Sequence, residues 1–163
     1  MANEVTPEKW FVGAIALIRR SGAAGDDEWL ALWNAGRNCY QFVETHKLEN
    51  ESFRESLQRE ISWTTGLETG RDFLVSNVPR TRLQFLGGTG CAEEPVGYVV
   101  EFFLVELMGK RHAAILEGHE LVRWVGQEEL HVGKATDDRA ICPQLTSLLE
   151  RGDVIPPWRP AGE

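Results

Sequence analysis

Residues 40–67 read YQFVETHKLENESFRESLQREISWTTGL, and this stretch carries the clearest structural signal in the chain. Its apolar stripe recurs at spacings of four and three residues, through Phe53, Leu57, Ile61 and Thr64. This spacing is typical of a helix that buries one face. The sequence therefore predicts a helix over 51–65.

Both ends of this helix carry terminal signals. We expect Asn50 to cap the N-terminus, because its side-chain oxygen can accept a free backbone N–H of the first turn. Glu51 would then lie near the positive end of the helix dipole, where an acidic residue is stabilising. At the other end, Gly66 can adopt the left-handed conformation that stops a helix, and Leu67 supplies the usual apolar contact.

The flanking segments are predicted to be strands separated by turns. Predicted strands cover 10–18, 28–33, 40–43, 73–78, 81–86, 98–108 and 121–125. The first two form a hairpin around the turn cluster at 21–27. Gly109–Lys110 is predicted to be a tight turn into 111–116.

Two further helices are predicted near the C-terminus, at 126–131 and 138–151, and Pro143 must start or kink the second. This order of elements favours one α/β domain with a mixed sheet between helices, which suits a length of 163 residues. We expect the domain to span 10–151, between an N-terminal tail at 1–9 and an extended, proline-rich tail at 152–163. The glycine-rich segment 86–97 is predicted to be a flexible loop and a candidate lid.

The charge balance limits the classes of partner. Seventeen basic and 25 acidic residues give a net charge of −8, which argues against an extended duplex-nucleic-acid footprint. A small anionic ligand stays open, because one local basic pocket is enough to bind it. The N-terminal residues resemble no signal peptide, and the apolar run at 10–18 is too short to span a bilayer. We therefore expect a cytoplasmic protein with no membrane partner.

The three cysteines are Cys39, Cys91 and Cys142, an odd number at wide spacing. No pair has the spacing of a metal site. We interpret all three as buried or half-buried free thiols of a reducing compartment.

The central stretch resembles the Nudix signature. In that motif a Gly is followed after five residues by Glu and after seven more by Arg-Glu; an apolar residue, a free position, Glu-Glu, a free position, Gly and an apolar residue complete it. The residues that fit are Glu51, Arg59, Glu60, Ile61, Gly66 and Leu67. The late segment EGHELVRWVGQEEL, at 117–130, also resembles the family, so the likeness covers roughly 10–151.

The resemblance implies an α/β/α sandwich and Mg²⁺- or Mn²⁺-dependent hydrolysis of a diphosphate linkage. Such a site needs carboxylates one turn apart on one helix face, and here these positions hold Glu60, Trp63 and Thr64. One carboxylate thus remains, and Trp63 is bulky enough to fill the metal space. The usual glycine pair is also replaced, by Glu44 and Thr45.

Candidate site residues follow from this resemblance. Glu60 is the catalytic and metal-binding candidate if the protein is active, although it could instead hydrogen-bond the preceding loop. Glu117 is a second metal candidate, because some Nudix enzymes place an acid in the late segment. Arg59 is expected to brace the helix by pairing with Glu51 or Glu55, and together with Gly66 these are structural residues.

The loop after the degenerate glycine pair would lie beside the phosphate site of the fold. His46 and Lys47 are therefore substrate-binding candidates. Arg82 could line a ligand groove, as could Arg37 and Arg80.

Three functions remain open from the sequence. The first is a protein with a degenerate metal site that binds a nucleotide-like or other small ligand and has lost, or nearly lost, hydrolysis. The second is a divergent hydrolase whose metal is held by Glu60 with distant acids, namely Glu117, Glu120, Glu93 or Glu94. The third is a protein-interaction scaffold. The oligomeric state also stays open, with a homodimer among the alternatives.

Overall fold

A computed structural model describes residues 9–87 and 96–156. Within these ranges the chain forms eight strands and four helices. They are β1 (Lys9–Ser21), β2 (Asp27–Asn34), β3 (Cys39–Gln41), β4 (Glu44–His46), α1 (Phe53–Thr65), β5 (Phe73–Val75), β6 (Thr81–Gly87), β7 (Val96–Leu107), α2 (Arg111–Glu117), β8 (Val122–Gly126), α3 (Gln127–Val132) and α4 (Pro143–Gly152).

The strands form one mixed sheet with β1 near its centre. Its main path runs β3-β2-β1-β7-β5, while β4 pairs with β1, β6 with β7 and β8 with β2. β1 runs parallel to β7, with Lys9 opposite Val96 and Ile18 opposite Val105. The other pairings are antiparallel. The predicted β1–β2 hairpin and the predicted mixed sheet are therefore confirmed.

Two apolar clusters cover the two faces of the sheet, because side chains alternate along β1. Ile15 and Leu17 join a cluster that contains Leu145 and Leu148 of α4. Ala14, Ala16 and Ile18 point the other way, into a cluster that contains Leu57 and Ile61 of α1. A helix packs on each face, which gives the expected α/β/α sandwich.

The central helix follows the predicted face but begins later than expected. Leu57 and Ile61 are fully buried, and Phe53 and Thr64 are half-buried. The N-cap is Ser52, whose side chain accepts the backbone N–H of Glu55 at 3.1 Å, so the assignment of Asn50 as the cap was wrong.

The two ends of α1 are determined in different ways. The start depends on a turn formed by the preceding residues, and the end depends on one glycine. Glu51 N–H donates to the Leu48 carbonyl at 3.2 Å, so the residues around Asn50 form a turn before the helix. Gly66 ends the helix at φ 80°, as predicted, and Leu67 is buried behind it.

Several other elements differ from the sequence prediction, at places where tertiary contacts determine the structure. The segment after the Gly109 turn is the helix α2, to which the sequence assigned no helix. Residues 44–46 form β4 on the edge of β1, and α4 starts at Pro143 rather than at 138. The predicted lid lies mainly at 88–95, outside the described residues, as do most of the two tails.

The interpretation of all cysteines as free thiols was wrong. Cys39 and Cys142 form a disulfide across 103 residues, with their Cα atoms 5.1 Å apart. The neighbouring backbone brings them together, since Tyr40 donates its N–H to the Ala140 carbonyl and accepts from the Cys142 N–H, each at 2.9 Å. This pairing removes one support for a reducing compartment. Cys91 lies outside the described residues.

Among the four described helices, none combines the length and apolar character needed to cross a membrane.

Candidate functional site: one carboxylate on the central helix and a cleft beside the C-terminal helix

The motif face of α1 offers a single carboxylate. Oε2 of Glu60 lies 3.6 Å from a guanidinium nitrogen of Arg59. The hydroxyl of Thr64 donates to the backbone carbonyl of Glu60 at 2.8 Å, so it is engaged with its own helix. Trp63 is 84% exposed, and its occupation of the space that a metal would take stays a prediction.

Arg59 also contacts Glu51, which lies two residues before the start of α1. Its Nε lies 3.1 Å and 3.3 Å from the two carboxylate oxygens of Glu51. A hydrogen bond from Ser56 and this ion pair hold the pKa of Glu51 below its usual range. Of the two partners left open for Arg59, the structure selects Glu51 rather than Glu55.

The two positions at which the Nudix signature has glycine correspond to Glu44 and Thr45 in β4, where Thr45 pairs with Ala14 and Glu44 with Ile15 of β1. A Cβ on Gly13 would collide with the Thr45 carbonyl oxygen, so β1 needs glycine at this point of close approach. In contrast, the extended backbone of β4 accepts side chains, which is why Glu44 and Thr45 can replace the glycines.

Glu44 pairs with Arg37 at the end of this strand. The Arg37 Nη1 lies 3.1 Å from Oε1 of Glu44 and 3.4 Å from Oε1 of Gln41. Burial raises the pKa of the Glu44 carboxyl, and the positive charge of Arg37 opposes that rise. The acid thus holds the arginine in a fixed position.

A cleft of about 580 Å³ lies beside α4, within the size range of small-molecule sites. Its lining residues come from four separate segments of the chain, and among them are Arg37, Phe85, Tyr98, Gln144, Ser147 and Arg151. The disulfide Cys39–Cys142 forms part of the same wall.

The cleft combines aromatic rings with cationic groups. The rings of Phe85 and Tyr98 are stacked, with centroids 4.9 Å apart and planes 14° apart. Gln144 donates to the Tyr98 hydroxyl at 2.8 Å, and the Arg151 guanidinium lies 4.2 Å from the Phe85 ring centroid. None of the described lining residues is acidic. This arrangement suits a planar, anionic small molecule.

Solved structures with the same architecture match most of this chain. The Ap4A hydrolase of C. elegans aligns at 15% identity with a TM-score of 0.54, over 88% of this chain and 92% of that one. The Nudix hydrolase RenU of M. smegmatis aligns at 17% identity with a TM-score of 0.54, over 90% of each chain. The chain has the Nudix fold.

A third similar structure is NrtR of Shewanella oneidensis, solved in complex with a 27mer DNA. It aligns at 11% identity with a TM-score of 0.53, over 86% of this chain and 59% of that one. At these identities the likeness establishes the fold alone, and the absence of duplex-DNA binding by this chain stays a prediction. No protein-family model matches the sequence, and no curated protein matches it either.

The described acidic residues do not gather around Glu60. Within residues 9–87 and 96–156, no three His, Cys, Asp or Glu side chains come together as a metal site. Glu117 ends α2 and lines another cleft, with Arg20 and Trp124, to which Glu60 does not contribute. Among the described residues, the two metal candidates Glu60 and Glu117 are therefore not brought together into one cluster.

The predicted substrate residues of the Nudix-like site are spread over two places. The ring of His46 packs on Phe11 at 4.8 Å, and Phe11 in turn lies 6.3 Å from Tyr98 of the cleft. Lys47 and Arg82 both lie over the Phe53 ring, at 5.9 Å and 5.7 Å.

Arg82 also pairs with Glu101 at 3.2 Å, and neither it nor Lys47 lines the cleft. Of the arginines considered for a groove, Arg37 lines this cleft and Arg80 does not. The sequence missed Phe85, Tyr98 and Gln144, because no motif joins residues from such distant segments.

Proposed function

We propose that this Nudix-fold protein binds a nucleotide-like small ligand and has lost, or nearly lost, metal-dependent pyrophosphate hydrolysis. The observation that carries the proposal is the contrast between two places in the molecule. The motif face of α1 presents one carboxylate, Glu60, with Trp63 in solvent and the Thr64 hydroxyl bonded to the backbone. The cleft beside α4, in contrast, offers a stacked pair of rings and two arginines.

Physical chemistry supports both halves of this proposal. Hard divalent cations are held mainly by the number and geometry of carboxylate oxygens, so replacing two acids by Trp63 and Thr64 weakens metal binding by orders of magnitude. Aromatic faces bind planar groups, and guanidinium groups bind phosphate oxygens in pairs. The ligand class that satisfies both is a nucleoside phosphate.

The experiment is a panel of nucleoside triphosphates, dinucleoside polyphosphates, ADP-ribose and NADH, measured for thermal shift and for hydrolysis with Mg²⁺ or Mn²⁺. The wild-type protein and Glu60→Gln are run side by side. We expect at least one member to raise the melting temperature and no efficient turnover by either protein.

Metal-dependent turnover that collapses in Glu60→Gln would contradict the proposal and favour the divergent hydrolase. In that case Mg²⁺ or Mn²⁺ would be the cofactor, held by Glu60 with acids from distant segments such as Glu117 or Glu120; Glu93 and Glu94 lie outside the described residues.

The scaffold alternative is favoured by one specific observation, the 84% exposure of Trp63 on α1. A large exposed aromatic side chain is typical of an interface anchor. The absence of a thermal shift with every ligand of the panel would favour this alternative.

A further inference from the structure

We infer that the anionic end of the ligand is held directly by Arg37 and Arg151, without a bridging divalent cation. This inference rests on the proposed function and adds to it the mode of binding. It assigns binding roles in one cleft to two arginines that lie 114 positions apart in the chain.

Arg37 is held in place but keeps donors for an anion. Both of its side-chain hydrogen bonds in the described structure involve Nη1, to Glu44 and to Gln41. A guanidinium carries five N–H donors, and the Arg37 side chain is 48% exposed. Its remaining N–H groups can therefore bind a phosphate in the paired geometry that guanidinium favours.

Arg151 is positioned by a different contact. Its guanidinium lies over the face of Phe85 at 4.2 Å, which leaves the N–H groups at the edge of the guanidinium plane free of the ring. Because Phe85 also stacks on Tyr98, the cation is fixed beside two aromatic rings that line the cleft. One end of the cleft thus combines aromatic and cationic recognition.

The charge of the cleft argues against a metal bridge. Its described lining contains Arg37 and Arg151 and no acidic side chain, so a free divalent cation is repelled while an anion is attracted. The nearby acid, Glu44, is paired with Arg37 and offsets its charge, so Arg151 carries the net positive charge of the described lining. In a protein of net charge −8, this local positive surface selects a ligand that carries its own negative charge.

The ligand class that follows is a nucleoside diphosphate or monophosphate in its metal-free form. The volume of about 580 Å³ accommodates a molecule of that size. A neutral nucleoside would keep the apolar contacts with the cleft and lose the two arginine contacts.

The test is calorimetric titration of ADP, GDP, CDP and UDP into the full chain, with excess EDTA and again with excess Mg²⁺. We expect at least one of them to bind in EDTA with an affinity within about twofold of that in Mg²⁺. Arg151→Gln should weaken binding about tenfold or more, because hydrogen bonds to charged groups are among the strongest. The corresponding nucleoside should bind the wild type and Arg151→Gln about equally.

Arg37→Gln alone would leave the Glu44 acid unpaired and could unfold the strand. The double variant Arg37→Gln/Glu44→Gln removes the pair together and should show the same loss of about tenfold. Arg80→Gln, an exposed arginine that does not line the cleft, is the matched control and should bind as the wild type does.

The outcomes separate the two proposals. Binding that requires Mg²⁺ would overturn this inference and leave nucleotide binding intact, as would EDTA-resistant binding unaffected by either arginine variant. The absence of binding by all four diphosphates in both conditions would overturn this inference alone, whereas the proposed function fails only if every ligand of its own panel also leaves the melting temperature unchanged.

Discussion

The Nε atom of Arg59 lies 3.1 Å from Oε1 of Glu51, so the middle of α1 is tied to the turn that leads into it. These two residues are among those that resemble the Nudix motif most closely. Their contact gives each a structural role that needs no metal and no substrate. The presence of Arg59 and Glu51 is therefore explained by their structural contact alone. Whether the protein catalyses a reaction depends instead on Glu60, Trp63 and Thr64.

Ser52→Ala should destabilise the protein by about 1 kcal/mol, because the hydroxyl that accepts the Glu55 N–H is lost. Asn50→Ala is the matched variant, since Asn50 was the cap expected from the sequence and lies in the turn before α1. It should change the free energy of unfolding by less than about 0.5 kcal/mol. Urea unfolding of both variants measures the difference, and equal losses would place the cap elsewhere.

Leu57→Ala should cost about 2–5 kcal/mol, because the side chain is fully buried between α1 and the sheet. Leu86→Ala removes the same atoms from a side chain that is 54% exposed, and should cost less than about 1 kcal/mol. The comparison is made by denaturant unfolding at one temperature. A loss below about 0.5 kcal/mol for Leu57→Ala would contradict the assigned face of the helix.

The sequence predicted what local spacing determines. The face of α1 followed from the recurrence of Phe53, Leu57 and Ile61, and the helix end followed from the one residue, Gly66, that takes positive φ freely. The N-cap was missed because Asn50 and Ser52 are both good caps. The choice between them depends on the turn that Leu48 and Glu51 form.

The cleft could not be predicted in the same way. Tyr98 and Gln144 are 46 residues apart, and Cys39 and Cys142 are 103 apart. Such residues come together only when the strands pair and α4 packs on the sheet. The spacing of residues within one segment does not indicate these long-range contacts. The residues predicted from the motif loop, His46 and Lys47, lie around the aromatic side chains Phe11 and Phe53 instead.

Asp72 should make the stability of the protein pH-dependent. Its buried carboxylate accepts the backbone N–H of Glu68 at 2.8 Å and pairs with Arg111 at 3.1 Å. These contacts hold the pKa of Asp72 below its ordinary 3.8. A lowered folded-state pKa contributes stability above the unfolded-state value, which is lost as the pH falls through the folded-state value.

Asp72→Asn should therefore lower the free energy of unfolding at pH 7. The difference in this free energy between the variant and the wild type should become smaller below about pH 4. Unfolding curves at pH 7, 5 and 3 measure this, with Asp26→Asn, at an exposed aspartate, as the control. A difference in unfolding free energy that stays constant down to pH 3 would show that ionisation of Asp72 contributes nothing to stability.

Reduction of the Cys39–Cys142 disulfide should lower the free energy of unfolding by about 2–5 kcal/mol, because the bond closes a long loop in the unfolded chain. The double variant Cys39→Ser/Cys142→Ser should show a similar loss and no further response to a reductant. Denaturant unfolding with and without dithiothreitol measures both. Equal stability of the oxidised and reduced wild type would contradict a disulfide at this place.

The same bond determines how the molecule carries mechanical load. A force applied to the two chain ends passes covalently from Cys39 to Cys142, so the stretch between them, which contains α1 and β5 to β8, cannot be extended while the bond is intact. Only the residues before Cys39 and after Cys142 can then be pulled out. The central helix, with its Nudix-like motif, lies within this closed stretch and cannot be drawn out through the termini unless the bond is broken.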